Sequence, residues 1–203
     1  MTVLTGEDFR QFVIAMAGAI TDNAERLTTL DSAIGDGDHG ANMKRGFDAV
    51  VGDIDVLAEK SFAEATKAAG LKLVMTVGGA SGPLVGTFFM TLGKELPEDI
   101  DRKSMAAAFA TATAAVAARG KSERGQKTLL DVLYPLHAAI AAGADAAGMA
   151  RAAQAAAEAT IPVKATRGRA SFLGDRSIGH MDPGSASVAL LADAAARVWA
   201  ART

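Results

Sequence analysis

The apolar residues of this chain recur at intervals of three and four, run after run, and that spacing leaves little choice of fold. Phe9, Phe12, Val13, Met16, Ile20, Leu27 and Leu30 form the first run, which lays one apolar stripe along a helix. Alanine fills much of the rest, as in Ala106–Ala108 and Ala155–Ala157. It has the highest helix propensity and little preference for strands. Half of the 203 residues are hydrophobic, ample for one core. The expectation is an all-α chain, residues 1–203 forming a single domain.

Read in order, the chain breaks into about eight helices. Thr5 to Asp8 resembles a capping box opening a first helix that runs to about Thr29. A second starts near Ala41, and Ser61 to Glu64 is another capping box. Pro83 suits the first position of the next helix. An Ala-rich helix from about Arg102 to Arg119 ends on Gly120 as its C-cap. Leu129 to Ile140 and Asp145 to Thr160 follow, and Asp182-Pro183 caps and starts the last. His137 falls inside one of these helices and reads as a packed or surface histidine rather than a ligand.

Between the first two helices lies the segment least like an ordinary helical connection. Asp31, Asp36 and Asp38 fall within eight residues, interleaved with Gly35, Gly37 and Gly40. Three anions so close repel one another unless a cation sits among them, and oxygen ligands on a bendable loop suit Mg²⁺ or Ca²⁺. Gly35-x-Gly37-x-x-Gly40 matches the dinucleotide pattern, but that motif needs a preceding strand, and a helical run precedes it here. An EF-hand is excluded because its twelfth position would be Phe47 instead of a bidentate glutamate. What remains is a carboxylate loop holding Mg²⁺, which in turn holds phosphates. The plainer alternative is a tight turn whose aspartates cap the next helix.

Two further segments are consistent with phosphate. Gly78-Gly79-Ala80-Ser81-Gly82-Pro83 is a Gly-rich turn into a helix N-terminus, where free N–H groups can cradle an anion. It could equally mark close approach of two helices. The stretch from Ile161 to Pro183 is long for a connector and carries Lys164, Arg167, Arg169, Arg176 and His180. It reads as a clamp in which arginine grips phosphate oxygens; a solvated loop is the alternative. Gly120-Lys121-Ser122 is not a Walker A motif, because Ala115 stands where its first glycine is required. In an up-and-down bundle alternate connections share one end, so the three Gly-rich segments can meet at one rim.

Other function classes find no support. A net charge of −2 gives no reason to expect nucleic acid or an anionic membrane. Without cysteine there are no disulfides or thiolate metal sites, and a cytoplasmic setting is expected. Glu7, Asp8 and Arg10 interrupt the N-terminus, so it does not read as a signal peptide.

Taken together, the stretches Leu30 to Asn42, Gly78 to Pro83 and Gly168 to Gly184 closely resemble the DhaL-type nucleotide-binding subunits of dihydroxyacetone kinases, in the family order. That resemblance implies an eight-helix antiparallel up-and-down barrel or bundle with ADP or ATP at one rim, held through two Mg²⁺ ions. Asp31, Asp36 and Asp38 would be the metal ligands and, through the metal, the catalytic residues. His39, Gly40, Ala41 and Asn42, with Ala80 and Ser81, would line the phosphates. Gly120 and Leu129 match positions near the adenine, and Arg169 and Asp182-Pro183-Gly184 match the closing loop. The implied reaction is phosphoryl transfer to dihydroxyacetone held on a separate substrate-binding subunit. The expected donor is a phosphohistidine protein of the phosphotransferase system that recharges resident ADP. The alternatives are an ATP-dependent kinase of another short ketose such as erythrulose, and an ADP-loaded regulatory module without turnover. Pairing with a second copy of the chain is compatible with the resemblance. A fatty-acid kinase is similar only in its N-terminal part.

Overall fold

The computed structural model describes residues 2–202. A two-residue strand β1 (Thr2–Val3) precedes α1 (Gly6–Asp22), α2 (Ala24–Ile34), α3 (His39–Gly52), α4 (Ile54–Ala58), α5 (Phe62–Thr76) and α6 (Ser81–Glu95). After β2 (Asp99–Ile100) come α7 (Arg102–Gly120), α8 (Leu130–Ala142), α9 (Ala146–Glu158), a 3-10 helix (Arg169–Ser177) and α10 (Pro183–Ala201). The two strands form one short antiparallel pair. None of the helices among the described residues is long and apolar enough to cross a membrane.

The all-α expectation holds, but the described residues carry ten α-helices and a 3-10 helix rather than about eight helices. The first expected helix is two, because it breaks at Asn23, whose amide donates back to the Ala19 carbonyl at 2.9 Å. The apolar stripe runs across that break unaltered, which hides it. The second piece, α2, then continues past Thr29 to Ile34, so Asp31 lies on a helix rather than in a loop. Both capping boxes form, Thr5 with Asp8 and Ser61 with Glu64. Pro83 is the third residue of α6, not the first. The C-cap of α7 is Lys121 in a left-handed conformation (φ 47°), while Gly120 stays helical beside Leu84.

Successive long helices pack on one another: α1 on α3, α3 on α5, α5 on α6, then α6 through α10 in order, and α10 returns to α1. Helices α5 and α6 lie closest, because Gly70, Gly86 and Gly93 have no side chain at the crossing; a Cβ on Gly86 would meet the Gly70 carbonyl oxygen at 2.7 Å. One apolar cluster gathers Phe9, Val13, Ile20, Leu27, Met43, Phe47 and Leu73. A second gathers Phe109, Val116, Leu130, Leu133 and Leu136. Helix α10 joins them, giving Leu191 to the first and Val188 to the second. His137 stacks on Phe109 with centroids 6.5 Å apart, a packed histidine as expected. This rigid frame fixes the starts of α3, α6 and α10.

Candidate functional site

The carboxylate cluster is built by the end of α2 and the turn into α3. Gly35 stops α2, its N–H donating to the Asp31 carbonyl at 2.5 Å. A Cβ on Gly35 would collide with the Asp31 carboxylate. Gly37 takes a left-handed φ of 75°, open to glycine at little cost. Asp31 is only 7% exposed, and its Oδ2 accepts from the N–H groups of Asp38 (2.9 Å) and His39 (3.2 Å). Asp38 occupies the N-cap position of α3, yet its side chain makes no capping bond. The capping alternative therefore leaves its carboxylate unexplained.

Asp31, Asp36 and Asp38 each offer an oxygen, and these oxygens lie within 4.8 Å of one another. The donors are hard oxygens of the kind Mg²⁺ prefers, and the residues fit the ion. The cation that meets them from the protein is Arg169, whose Nη1 is 2.6 Å from Asp36 Oδ2.

Three helix N-termini open on the same cleft. His39 of α3, Ala80 and Ser81 at the start of α6, and Pro183 and Gly184 of α10 all line it, together with the three aspartates. The positive dipole ends of three helices thus face one space, the arrangement that attracts phosphate, although the His39 N–H is held by Asp31, that of Ser185 by Asp182, and Pro183 has none. Gly79 supports the second of these starts with φ 64°. The His39 ring crosslinks all three helices: Nδ1 lies 3.0 Å from Ser81 Oγ and Nε2 3.2 Å from Ser187 Oγ. Burial pulls its pKa below the usual histidine value, against the opposing charges of Asp31 and Asp38.

Of the residues expected at the site, Asp31, Asp36, Asp38, His39, Ala80, Ser81, Leu129, Arg169, Asp182, Pro183 and Gly184 line the cleft. Gly40, Ala41, Asn42 and Gly120 are not in its lining. Gly40 serves packing: a Cβ there would run into the Ala24 carbonyl of α2. Ala41 is exposed. Asn42 is buried, accepting from Arg45 Nη2 at 2.7 Å beneath the Gly78-Gly79 turn. Asp182 caps α10 by accepting from the Ser185 N–H at 2.6 Å, and burial raises its pKa to about 6.

Leu84, Lys127 and Thr128 line the cleft without having been singled out by sequence, and Arg167 of the expected clamp lines it too. Lys127 is the least expected of them. It sits in a polar connection, where a lysine normally reaches into water, but it is 1% exposed. Its surroundings are backbone carbonyls from a segment more than thirty residues away, a contact that periodicity and motif spacing do not register. Burial lowers its pKa, and the charge of Asp182 opposes that shift.

A sequence-family model described as the DAK2 domain matches residues 33–197. The ADP-binding subunit DhaL of the PEP-dependent dihydroxyacetone kinase of Escherichia coli (strain K12) is 40% identical over 177 residues, 81% of this chain and 83% of that one. The corresponding subunit of kinase 1 of Listeria innocua is 42% identical over 176 residues, covering 85% and 86%. The L-erythrulose 1-kinase of Mycolicibacterium smegmatis is 33% identical over 180 residues, 84% of this chain but 32% of that longer protein. Among solved structures, the dihydroxyacetone kinase of Citrobacter freundii in complex with AMP-PNP and Mg²⁺ superposes with a TM-score of 0.73 at 22% identity. The match covers 97% of this chain and 35% of that one, and the likeness is one of fold.

Proposed function

The chain belongs to the DAK2-domain family, and from that membership we propose how its cleft serves a dihydroxyacetone kinase of which it is the ADP-binding, DhaL-type subunit. The observation that carries the reading is the convergence of three carboxylates and three helix N-termini on one cleft. A polyanion with its cation uses both halves of such a site. Asp31, Asp36 and Asp38 would hold Mg²⁺, and we extend the proposal to two ions. When bound, Mg²⁺ supplies charge neutralisation at the terminal phosphate oxygens.

The protein's own contribution is positioning and exclusion of water. The positive dipole ends of α3, α6 and α10 would orient the phosphates, with the Ser81 hydroxyl held by His39 beside them. Leu129 and Leu84 present apolar surface to the base. Arg169, paired with Asp36 at the edge of the cleft, would be the cation available to phosphate oxygens if Asp36 served as a metal ligand. Dihydroxyacetone would sit on a separate substrate-binding subunit. We extend the proposal to a phosphohistidine protein as donor and to a cytoplasmic setting. Support for the donor comes from the PEP-dependent relatives, which match over more than four fifths of their length.

Reconstitution tests this. The chain, a dihydroxyacetone-binding subunit and either a phosphohistidine donor or ATP are mixed, and dihydroxyacetone phosphate is assayed. Turnover with the phosphohistidine donor and resident ADP supports the proposal. Turnover with ATP alone reassigns the donor, and no turnover in any mixture leaves only a binding module. Replacing dihydroxyacetone and its subunit with an erythrulose counterpart tests the second substrate, which the L-erythrulose kinase relative brings into view.

A further inference from the structure

The segment between α9 and α10 carries Arg169 across the cleft, yet little of its own substance holds it there. Its glycines 168, 174 and 179 all take left-handed φ values (67°, 57° and 92°) in open surroundings. Near Arg169 its apolar anchorage is a small patch in which Ala165 and Ala170 meet Ile34, and Met181 packs on the core where the segment enters α10. The Lys164–Asp175 ion pair is exposed and contributes little. Lys127 is different. Its Nζ lies 2.7 Å from the Ser177 carbonyl, 2.9 Å from Thr160, 3.0 Å from Val163 and 3.4 Å from Ile161. One ammonium thus joins the end of α9 and both legs of the loop to the chain that enters α8. That chain is part of the cleft wall, since Thr128 and Leu129 line it and the Thr128 carbonyl accepts from Ser185 Oγ at 2.9 Å.

An ammonium has three N–H groups and no acceptor, so a ring of four carbonyls leaves it fully engaged; those of Thr160 and Ile161 also accept from the Val163 and Gly179 N–H groups, while those of Val163 and Ser177 depend on Lys127. We propose that Lys127 is a positioning residue that latches the Arg169-bearing loop across the cleft and thereby sets how long the nucleotide stays bound. The second half of that statement rests on the ADP-site reading above and deepens it; the first half does not. The latch acts through the main chain. Lys127 fixes Val163 and Ser177, the Ser177 hydroxyl accepts from the Ala165 N–H at 2.9 Å, and the 3-10 segment that begins with Arg169 runs, across a break at Gly174, to Ser177. Lys127 itself takes φ 63°, a strained value for a side chain that is not glycine, which the four bonds offset.

The test uses Lys127→Gly, which keeps the left-handed backbone without strain and leaves a slot with the outline of n-butylammonium. Two quantities are read on the full chain: amide hydrogen exchange over 163–178 without nucleotide, and dissociation of a fluorescent ADP analogue in Mg²⁺. Both should accelerate by at least about tenfold, since buried carbonyls lose their donor, while exchange in α3 and α5 is unchanged. Added n-butylammonium should restore both, and n-butanol neither. Lys127→Met, which keeps the volume but not the donors, should behave as Lys127→Gly does and resist rescue. Unchanged exchange over 163–178 overturns the latch. So does a loss of protection spread over all helices that n-butylammonium does not repair, because Lys127 would then be a general strut of the core. If the wild-type chain holds no ADP, the ADP-site reading fails, and the exchange data still judge the latch by themselves.

Discussion

Asparagine at position 31 and asparagine at position 36 are the same chemical change, and the structure predicts different consequences. Asp31 is buried and accepts two backbone N–H bonds from the start of α3. Bonds to a charged acceptor contribute about 1.5–3 kcal/mol and neutral ones about 1. Asp31→Asn keeps an oxygen but not the charge, so the nucleotide-free chain should lose about 1–3 kcal/mol. Asp36 faces Arg169 with side chains 36% and 56% exposed, a pairing that contributes about 0–1 kcal/mol. Relief of repulsion among the three carboxylates offsets even that. Asp36→Asn should therefore leave the nucleotide-free stability within about 0.5 kcal/mol of wild type. Both variants lose a metal ligand, so both should lose most of the stabilisation that Mg²⁺ and ADP give, about 2.7 kcal/mol at a hundredfold excess over Kd. Urea unfolding with and without Mg²⁺ and ADP measures all four quantities. Equal destabilisation of the two nucleotide-free variants would refute the separation of roles. Full retention of the Mg·ADP stabilisation by either variant would refute the metal assignment.

Gly40→Ala drives a methyl into the Ala24 carbonyl and the Thr28 hydroxyl; overpacking of this kind costs about 1–3 kcal/mol. Thermal unfolding of the nucleotide-free chain should show the loss, and an unaltered midpoint would contradict the close approach of α2 and α3. Asp182 takes up its proton near pH 6 in the folded chain and near 3.9 when unfolded. The folded state therefore binds more protons between those values, and this group's contribution to stability falls as pH rises from about 4 to 6, by roughly 3 kcal/mol. Asp182→Asn, also a good N-cap, should remove that fall. Wild-type and variant stabilities that track in parallel from pH 4 to 7 would contradict it.

Much of this architecture can be read from local chemistry. The boxes at Thr5 and Ser61 and the caps at Asp145 and Asp182 each place a helix start to the residue, because a short polar side chain satisfying an N–H three positions on is a strictly local event. The carboxylate cluster is legible for the same reason, since its three aspartates fall within eight residues at the end of α2 and the turn into α3. What escapes is whatever depends on a distant partner. Gly40 stands among cleft residues in sequence but answers to Ala24 on the neighbouring helix. Lys127 looks like any loop lysine until the carbonyls of 160–177 surround it. The strands β1 and β2 are two residues each, too short for alternation to show.

Calorimetric titration of ADP into the nucleotide-stripped chain, once with Mg²⁺ and once with a chelator, addresses most directly whether the aspartates exist to carry a metal-bound nucleotide. If they do, chelation weakens ADP binding by at least about two orders of magnitude, because bare phosphates then meet the uncompensated charge of Asp31, Asp36 and Asp38. Equal affinity in the two titrations would contradict the account.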